Sequence, residues 1–384
     1  MEQKYNKNLS KIQTSKIRQF DGYCNQFAGH IKLTLGQPLF PTPTTIKEKA
    51  IEGIRKDVTT YTPNRGAVET VKTIQQYCKQ FLGIDYGTDE IIVGIGTTEV
   101  LASSLRTILN DGDEVLIPAP AYPGYEPLIL MNNCTVKYID TAGDGFQLTV
   151  ENLKKHITPK TRCIIITDPS NPTGMALTRQ NRDELAAFLA TTDIYLLADE
   201  VYNRILYTDD YQSFGKYPAL RKQLIVVNSF SKSHSMTGWR LGWSMTTKEF
   251  ANEMAKVHQY YVTAACSVGQ YGLLAILDPQ TEKEIAVMVD KYRDNMEYAY
   301  DFLKKLGFNT QKPQGAFYYY LSTETFGMNG DTFAERLVQE NGVALIPGNA
   351  FGTEYDNYVR LSFPVDMPVL QTALDRIKQF VGKL

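Results

Sequence analysis

The strongest constraint on this chain lies in its middle, where short apolar runs alternate with helical patterns. The runs are Glu90–Val93, Glu114–Pro118, Val136–Ile139, Arg162–Thr167, Ile194–Ala198, Leu224–Asn228 and Leu241–Met245. Each is rich in Ile, Val or Leu and is bounded by turn residues. Between them, stretches such as Thr97–Asn110, Val150–His156 and Arg179–Ala190 carry helical spacing. Strands that are apolar without alternation are buried on both faces. The expected class is therefore α/β, a mostly parallel sheet sandwiched by helices. Small molecules collect beyond the C-terminal strand ends of such sheets, so the residues just after each run come first.

The flanks read differently. About Glu282 to Leu306 is one long amphipathic helical stretch, stopped by Gly307. Phe317–Leu321, Val343–Ile346 and Tyr358–Phe363 read as strands; Asp331–Glu340, the stretch from about Pro368, and Leu9–Phe27 read as helical. The 384 residues are expected to form a large domain over 41–280 and a smaller α+β domain from 1–40 plus 281–384. A content of 43% apolar and 21% charged residues excludes wholesale disorder. Lys plus Arg number 40 against 42 acids, with no basic run, so nucleic acid is not an expected partner. No apolar run approaches the ~20 residues that span a bilayer. The start, MEQKYNKNLS, lacks the apolar core of a secretory signal, and the expected location is the cytoplasm. The five cysteines are scattered and odd in number, which suits neither a disulfide framework nor a zinc site. The four histidines do not cluster either, and no metal is expected.

The strand ends carry the chemistry. After Glu90–Val93 comes Gly94-Ile95-Gly96-Thr97-Thr98-Glu99, a glycine turn at a helix start, where free backbone N–H groups suit phosphate. Glu99 stands where a dinucleotide fingerprint needs its third glycine, which argues against a nicotinamide-dependent dehydrogenase. After Arg162–Thr167 comes Asp168-Pro169-Ser170-Asn171-Pro172-Thr173-Gly174, with Asn171 held between prolines; by itself this could be a rigid turn. After Ile194–Ala198 stand Asp199, Glu200 and Tyr202, and one of the two acids could simply be solvated. After Leu224–Asn228 comes Ser229-Phe230-Ser231-Lys232-Ser233-His234, followed by Gly238-Trp239-Arg240-Leu241-Gly242. Lys232, directly after a buried strand, is not a typical surface lysine. His234 reads as a structural hydrogen-bonder.

These motifs, in this order, resemble the class I, fold type I, pyridoxal-phosphate-dependent aminotransferases, over nearly the whole chain. Leu35-Gly36-Gln37-Pro38, Tyr61-Thr62-Pro63-Asn64-Arg65-Gly66 and Tyr358-Val359-Arg360-Leu361-Ser362 add to the likeness. Ile117–Pro127, Ser229–Trp243 and Gln314–Tyr318 are similar to a bacterial group, aminotransferase A, associated with N-acetyl-LL-diaminopimelate in lysine synthesis and related to aromatic aminotransferases. The resemblance implies pyridoxal 5'-phosphate, cycling through pyridoxamine 5'-phosphate, with Lys232 holding its aldehyde. An amine reacts only when uncharged, and burial beside the Arg240 cation would favour that state. Asp199 is implied as partner of the pyridine nitrogen, with Asn171 and Tyr202 as partners of the phenolic oxygen. Tyr122 is implied on the ring. Gly96, Thr97, Thr98, Ser229, Ser231 and Arg240 are implied around the phosphate, with Tyr61 from the other subunit of a homodimer with shared active sites. Arg360 would grip the substrate α-carboxylate with its planar fork, beside Asn171 and Gly36.

The implied reaction moves an amino group from an L-amino acid to a 2-oxo acid, 2-oxoglutarate by expectation, by a ping-pong mechanism. The alternative on the same cofactor is a C–S β-lyase of cystathionine-like substrates. A transcription regulator with a degenerate aminotransferase domain would need a DNA-binding module before residue 40, where no room is read. Arg65 stands where many relatives have a small residue and is a candidate for an acidic substrate end, with a surface role as its rival. Thr70-Val71-Lys72 also departs from the usual Leu-Arg after that loop.

Overall fold

The computed structural model describes residues 5–384; Met1–Lys4, the start of the segment read against a secretory signal and of the 1–40 segment, lie outside it. The apolar runs form one seven-stranded sheet. Its strands are β1 (Ile91–Gly94), β2 (Glu114–Ala119), β3 (Thr135–Asp140), β4 (Thr161–Thr167), β5 (Tyr195–Asp199), β6 (Leu224–Ser229) and β7 (Gly242–Met245). In space they lie in the order β1-β7-β6-β5-β4-β2-β3. All neighbours are parallel except β7, which runs antiparallel to both β1 and β6.

Burial on both faces explains the unbroken apolar runs. Ile164 and Ile166 of β4, Leu196 and Ala198 of β5, and Leu224 and Val226 of β6 join the core on one face. Their neighbours Cys163, Ile165, Leu197, Ile225 and Val227 join the core on the other. A third core gathers Leu33, residues of the long helix Pro279–Lys305, and the strands β8 (Tyr318–Ser322), β9 (Ile346–Pro347) and β10 (Tyr358–Ser362). These last strands form an antiparallel sheet in the order β9-β10-β8. Gly307, at φ +89°, follows the long helix and ends it as expected.

Two expectations are corrected. Val343–Ile346 is not one strand: Val343–Ala344 pairs parallel with Ile31–Lys32, whereas Ile346–Pro347 pairs with β10. The run looks continuous because both halves are fully buried, each in a different sheet. Leu9–Phe27 is not one helix but a 3-10 turn, Lys7–Lys11, and a helix, Lys16–Cys24, parted where Ile12 and Ser15 are extended. Among the described residues no helix is long and apolar enough to cross a membrane.

Register places the motifs. Gly94 pairs with Gly242, Gly242 with Ser229, Val227 with Asp199, and Asp199 with Thr167, so these strand ends share one edge. Because β7 is reversed, its N-terminal end lies on that edge, which is how Arg240 arrives beside groups that follow their strands. The loop after β4 is fastened by the buried pair Asp168–Arg182, at 2.7 Å. Asp168 Oδ1 accepts from Leu177 N–H at 3.0 Å, and Arg182 Nη2 donates to the Leu177 carbonyl at 2.8 Å. Removing one partner strands the other charge in the interior. Arg182→Met should therefore destabilise the protein by about 3–5 kcal/mol. Asp168→Asn with Arg182→Met should melt higher than Arg182→Met alone; thermal unfolding followed by circular dichroism checks the order.

Candidate active site

At the β1 end, the turn Gly94–Gly96 feeds the helix Gly96–Ile108, whose first N–H groups have no partner within the helix. Gly96 has φ +71°, and a side chain there would strike Arg240 Nη2 at 2.5 Å, so the guanidinium lies directly on the turn. A side chain on Gly242 would meet Gly96 C and Thr97 N at 2.7 Å. Both glycines thus permit a close approach that any Cβ would prevent. Glu99 folds back: its carboxylate accepts from Ile95 N–H at 3.1 Å, and His258 Nδ1 lies 3.1 Å away. That carboxylate is a cap for its own turn, which explains why glycine is not needed there.

At the β6 end, Lys232 Nζ donates to the Gly36 carbonyl at 2.5 Å. Burial pulls this amine down to about 8, with the Arg360 and Arg240 cations acting in the same direction and Asp199 opposing. Arg360 ranks ahead of Arg240, so the effect expected of Arg240 is shared with a cation from β10. Ser229 Oγ accepts from Ser231 N–H at 3.2 Å. At the β5 end, Asp199 is 4% exposed and accepts from Tyr125 Oη at 2.7 Å and Val201 N–H at 3.3 Å. Burial raises its carboxyl to about 6. Glu200 is corrected: it is not solvated but buried, and turns away to accept from Ser213 Oγ and Phe214 N–H at 3.0 and 2.8 Å. Tyr202 is buried and its hydroxyl lies 2.8 Å from that of Tyr318.

Arg360 is 2% exposed, and among the described residues no carboxylate pairs with it. Nη1 donates to Asn171 Oδ1 at 2.9 Å and Nη2 to the Thr34 carbonyl at 2.6 Å, while Nε has no partner. The guanidinium carbon lies 4.5 Å from the Tyr318 ring and 4.7 Å from that of Phe351. Burial lowers its pKa, so the cation is held in place under tension with its surroundings. Tyr122, 38% exposed, stands edge-on to Tyr125 at 5.4 Å; burial, then the Asp199 carboxylate, raise its phenol, against the Arg18, Arg240 and Arg360 cations. Tyr61 stands apart from this cluster, 88% exposed. Arg65 is committed elsewhere: Nη1 donates to the Asp89 carbonyl at 2.7 Å and Nη2 to Asn252 Oδ1. Its reading toward an acidic substrate end gives way to this local surface role. His234 is buried against Phe230 and Tyr77, with Nδ1 2.8 Å from Ser233 Oγ, as a structural histidine would be. Sequence reasoning missed Tyr125, Tyr318 and Phe351. The first two stand within quoted motifs, IPAPAYPGYEP and QGAFY, but only the tertiary contacts distinguish them from other core tyrosines.

A sheet edge gathering an amine, a buried carboxyl, an anion-ready helix start and a buried arginine defines a pyridoxal-phosphate-dependent transferase of fold type I. Comparison with known proteins gives the family: the family model "Aminotransferase class I and II" matches residues 28–377, and the chain belongs to that family. It is 39% identical to a probable N-acetyl-LL-diaminopimelate aminotransferase of Bacillus subtilis, over 100% of this chain and 97% of that one. It is 33% identical to aromatic-amino-acid aminotransferase 2 of Thermococcus litoralis, over 97% and 96%. The crystal structure of Pyrococcus protein-A1 superposes with a TM-score of 0.95 at 34% identity, covering 98% of each chain. The chain is an aminotransferase that depends on pyridoxal phosphate. The C–S β-lyase reading has no support among these relatives.

The residues present fit that cofactor. The Gly96 notch under Arg240 suits a phosphate, and the depressed amine suits an aldehyde. Tyr202 and Tyr318 share one hydrogen bond between two hydroxyls, which leaves one hydroxyl hydrogen for an outside oxygen. With the Lys232 amine titrating near 8, its neutral fraction grows with pH below that value and levels off above it. The rate at which the apoprotein takes up pyridoxal phosphate, followed by absorbance, should rise with pH and flatten above about 8. A rate still climbing toward pH 10 would mean an ordinary lysine.

Proposed function

We propose that this chain moves the amino group of an L-amino acid to 2-oxoglutarate, with N-acetyl-LL-diaminopimelate or an aromatic amino acid as donor. The observation that carries the reading is Arg360: a buried cation with no acidic partner and with N–H groups to spare, 4.5 Å over a tyrosine ring. A planar carboxylate is the ligand that such a fork accepts bidentately. The names of the relatives support the donor classes.

In this reading Gly96, Thr97, Thr98, Ser229, Ser231 and Arg240 hold the cofactor phosphate, and Tyr122 lies on its ring. Bound pyridoxal phosphate supplies an aldehyde that takes up the amino group and a ring that withdraws electrons from the substrate Cα. Lys232 Nζ would hold the cofactor aldehyde and would carry the proton at the substrate Cα, a task for which an amine brought down to about 8 is suited. Asp199, ionised above about pH 6, keeps a proton on the pyridine nitrogen. Tyr202 and Asn171 hold the phenolic oxygen, and Asn171 also steadies Arg360. Arg360, backed by the Thr34 carbonyl, orients the α-carboxylate so that the Cα–H faces Lys232. Gly36, whose carbonyl takes the Lys232 amine, allows the backbone to pass close by.

The chain is proposed to divide into 41–280 and 1–40 plus 281–384, with the substrate between the two parts. A homodimer is proposed as well. The 88% exposure of Tyr61, and the exposed Tyr260 and Tyr261, suit a face covered by a second copy that receives Tyr61 in its phosphate site.

Two experiments test the function. Donors including N-acetyl-LL-diaminopimelate, tyrosine, phenylalanine, aspartate and alanine are run against 2-oxoglutarate. The first three should lead in kcat/KM, with parallel double-reciprocal lines. A lead by aspartate or alanine, or intersecting lines, would overturn the proposal. Arg360→Lys should lower kcat/KM for the best donor by roughly tenfold to a hundredfold, since a charged hydrogen bond is lost, while the cofactor absorbance persists.

A further inference from the structure

Tyr318 has no role in the reading above, yet it lies against Arg360, Tyr202 and Gly36. It opens β8, is fully buried, and pairs across the sheet with Ser362, two residues beyond Arg360. Its ring lies under the Arg360 guanidinium at 4.5 Å. Its hydroxyl is 2.8 Å from that of Tyr202. A Cβ on Gly36 would meet that same hydroxyl at 2.5 Å, and the Gly36 carbonyl is the acceptor of Lys232 Nζ. One side chain therefore connects the groups proposed for the cofactor oxygen, the substrate carboxylate and the lysine.

The hydroxyl pair has a direction to choose. Two buried tyrosines bring two O–H hydrogens and form one bond between them, so one hydrogen must point elsewhere. Burial holds both phenols well on the protonated side, so neither is an anion that could accept twice. Tyr202 and Asn171 stand at the proposed cofactor edge of the pair, whereas Tyr318 is enclosed by Arg360 and Gly36; Phe317 packs on both rings. If Tyr202 donated to Tyr318, the spare hydrogen would lie on the enclosed side, where the Arg360 cation repels it. The opposite order avoids that cost.

We propose that Tyr318 is a positioning residue: it donates to Tyr202, turning the Tyr202 hydrogen toward the cofactor's phenolic oxygen, and its ring braces Arg360 from below. This rests on the proposed placement of the cofactor at Tyr202. A hydroxyl that accepts a hydrogen bond becomes a stronger donor, so Tyr318 reaches the cofactor's charge through Tyr202.

The two contacts come apart in two variants. Tyr318→Phe keeps the ring under Arg360 and removes only the donated hydrogen. In the holoenzyme, the midpoint of the pH titration of the cofactor absorbance should rise by about 0.5–1 unit, because the phenolic anion loses support. KM for the amino donor should stay within about twofold of the parent. Tyr318→Leu removes the ring as well and should add about a tenfold rise in KM. Tyr202→Phe supplies the control: if Tyr318 acts through Tyr202, the double variant Tyr202→Phe with Tyr318→Phe shifts the midpoint no further than Tyr202→Phe alone. An unmoved midpoint in Tyr318→Phe, or additive shifts in the double variant, would overturn the proposal. A Tyr202→Phe holoenzyme whose midpoint matches the parent would instead remove the cofactor placement on which it rests.

Discussion

The site turns on one buried cation, Arg360, held without an acid among the described residues. Arg360 is buried among two rings, a carbonyl and an amide oxygen, and no carboxylate neutralises it. Burial, with the Arg360 and Arg240 cations adding to it, brings the Lys232 amine down to about 8. An interior charge is normally paired or absent. At Arg360 the imbalance is kept, and a carboxylate is the group that would relieve it; Arg240, exposed over the Gly96 turn, offers its fork to a phosphate. Asp199, which acts on Lys232, is itself pushed toward its neutral form by burial and held by Tyr125. Carboxyl and amine are thus both poised close to neutrality, the condition under which either gives or takes a proton readily.

The sheet makes this arrangement cheap to build. Parallel strands deliver Asp199 and Ser229 to one edge, with Asp199 level with Val227 and Ser229 two residues further on. The single reversed strand β7 adds a residue that precedes a strand, Arg240, and its Gly242 lets the helix start at Gly96 settle against it. Arg360 comes from a separate sheet through the Thr34 carbonyl and Asn171, so the substrate-facing group is tied to the cofactor-facing loop by one hydrogen bond of 2.9 Å. Movement of that sheet relative to the large one would alter the Lys232 environment directly.

Much of this was legible in the sequence because burial on two faces writes itself as continuous apolar runs, and the motif residues follow those runs immediately. The seven strands of the large sheet appear within a residue or so of their expected bounds. What was not legible depended on contacts between distant segments. Tyr318 and Tyr125 look like any core tyrosine until Arg360 and Asp199 are placed beside them. Glu200 read as a possible surface acid, although it caps the turn at Phe214 from inside. The break at Leu345 between two sheets leaves no trace in an apolar run whose halves are equally buried.

If the lowered Lys232 amine is what receives the cofactor aldehyde, that lysine should be the one covalently marked. Reducing the holoenzyme with borohydride, digesting it and mapping the modified peptide by mass spectrometry tests this most directly. The account predicts a single pyridoxyl-modified lysine, Lys232, in the Ser229–Arg240 peptide region. Modification of a different lysine, or of several in equal measure, would contradict it.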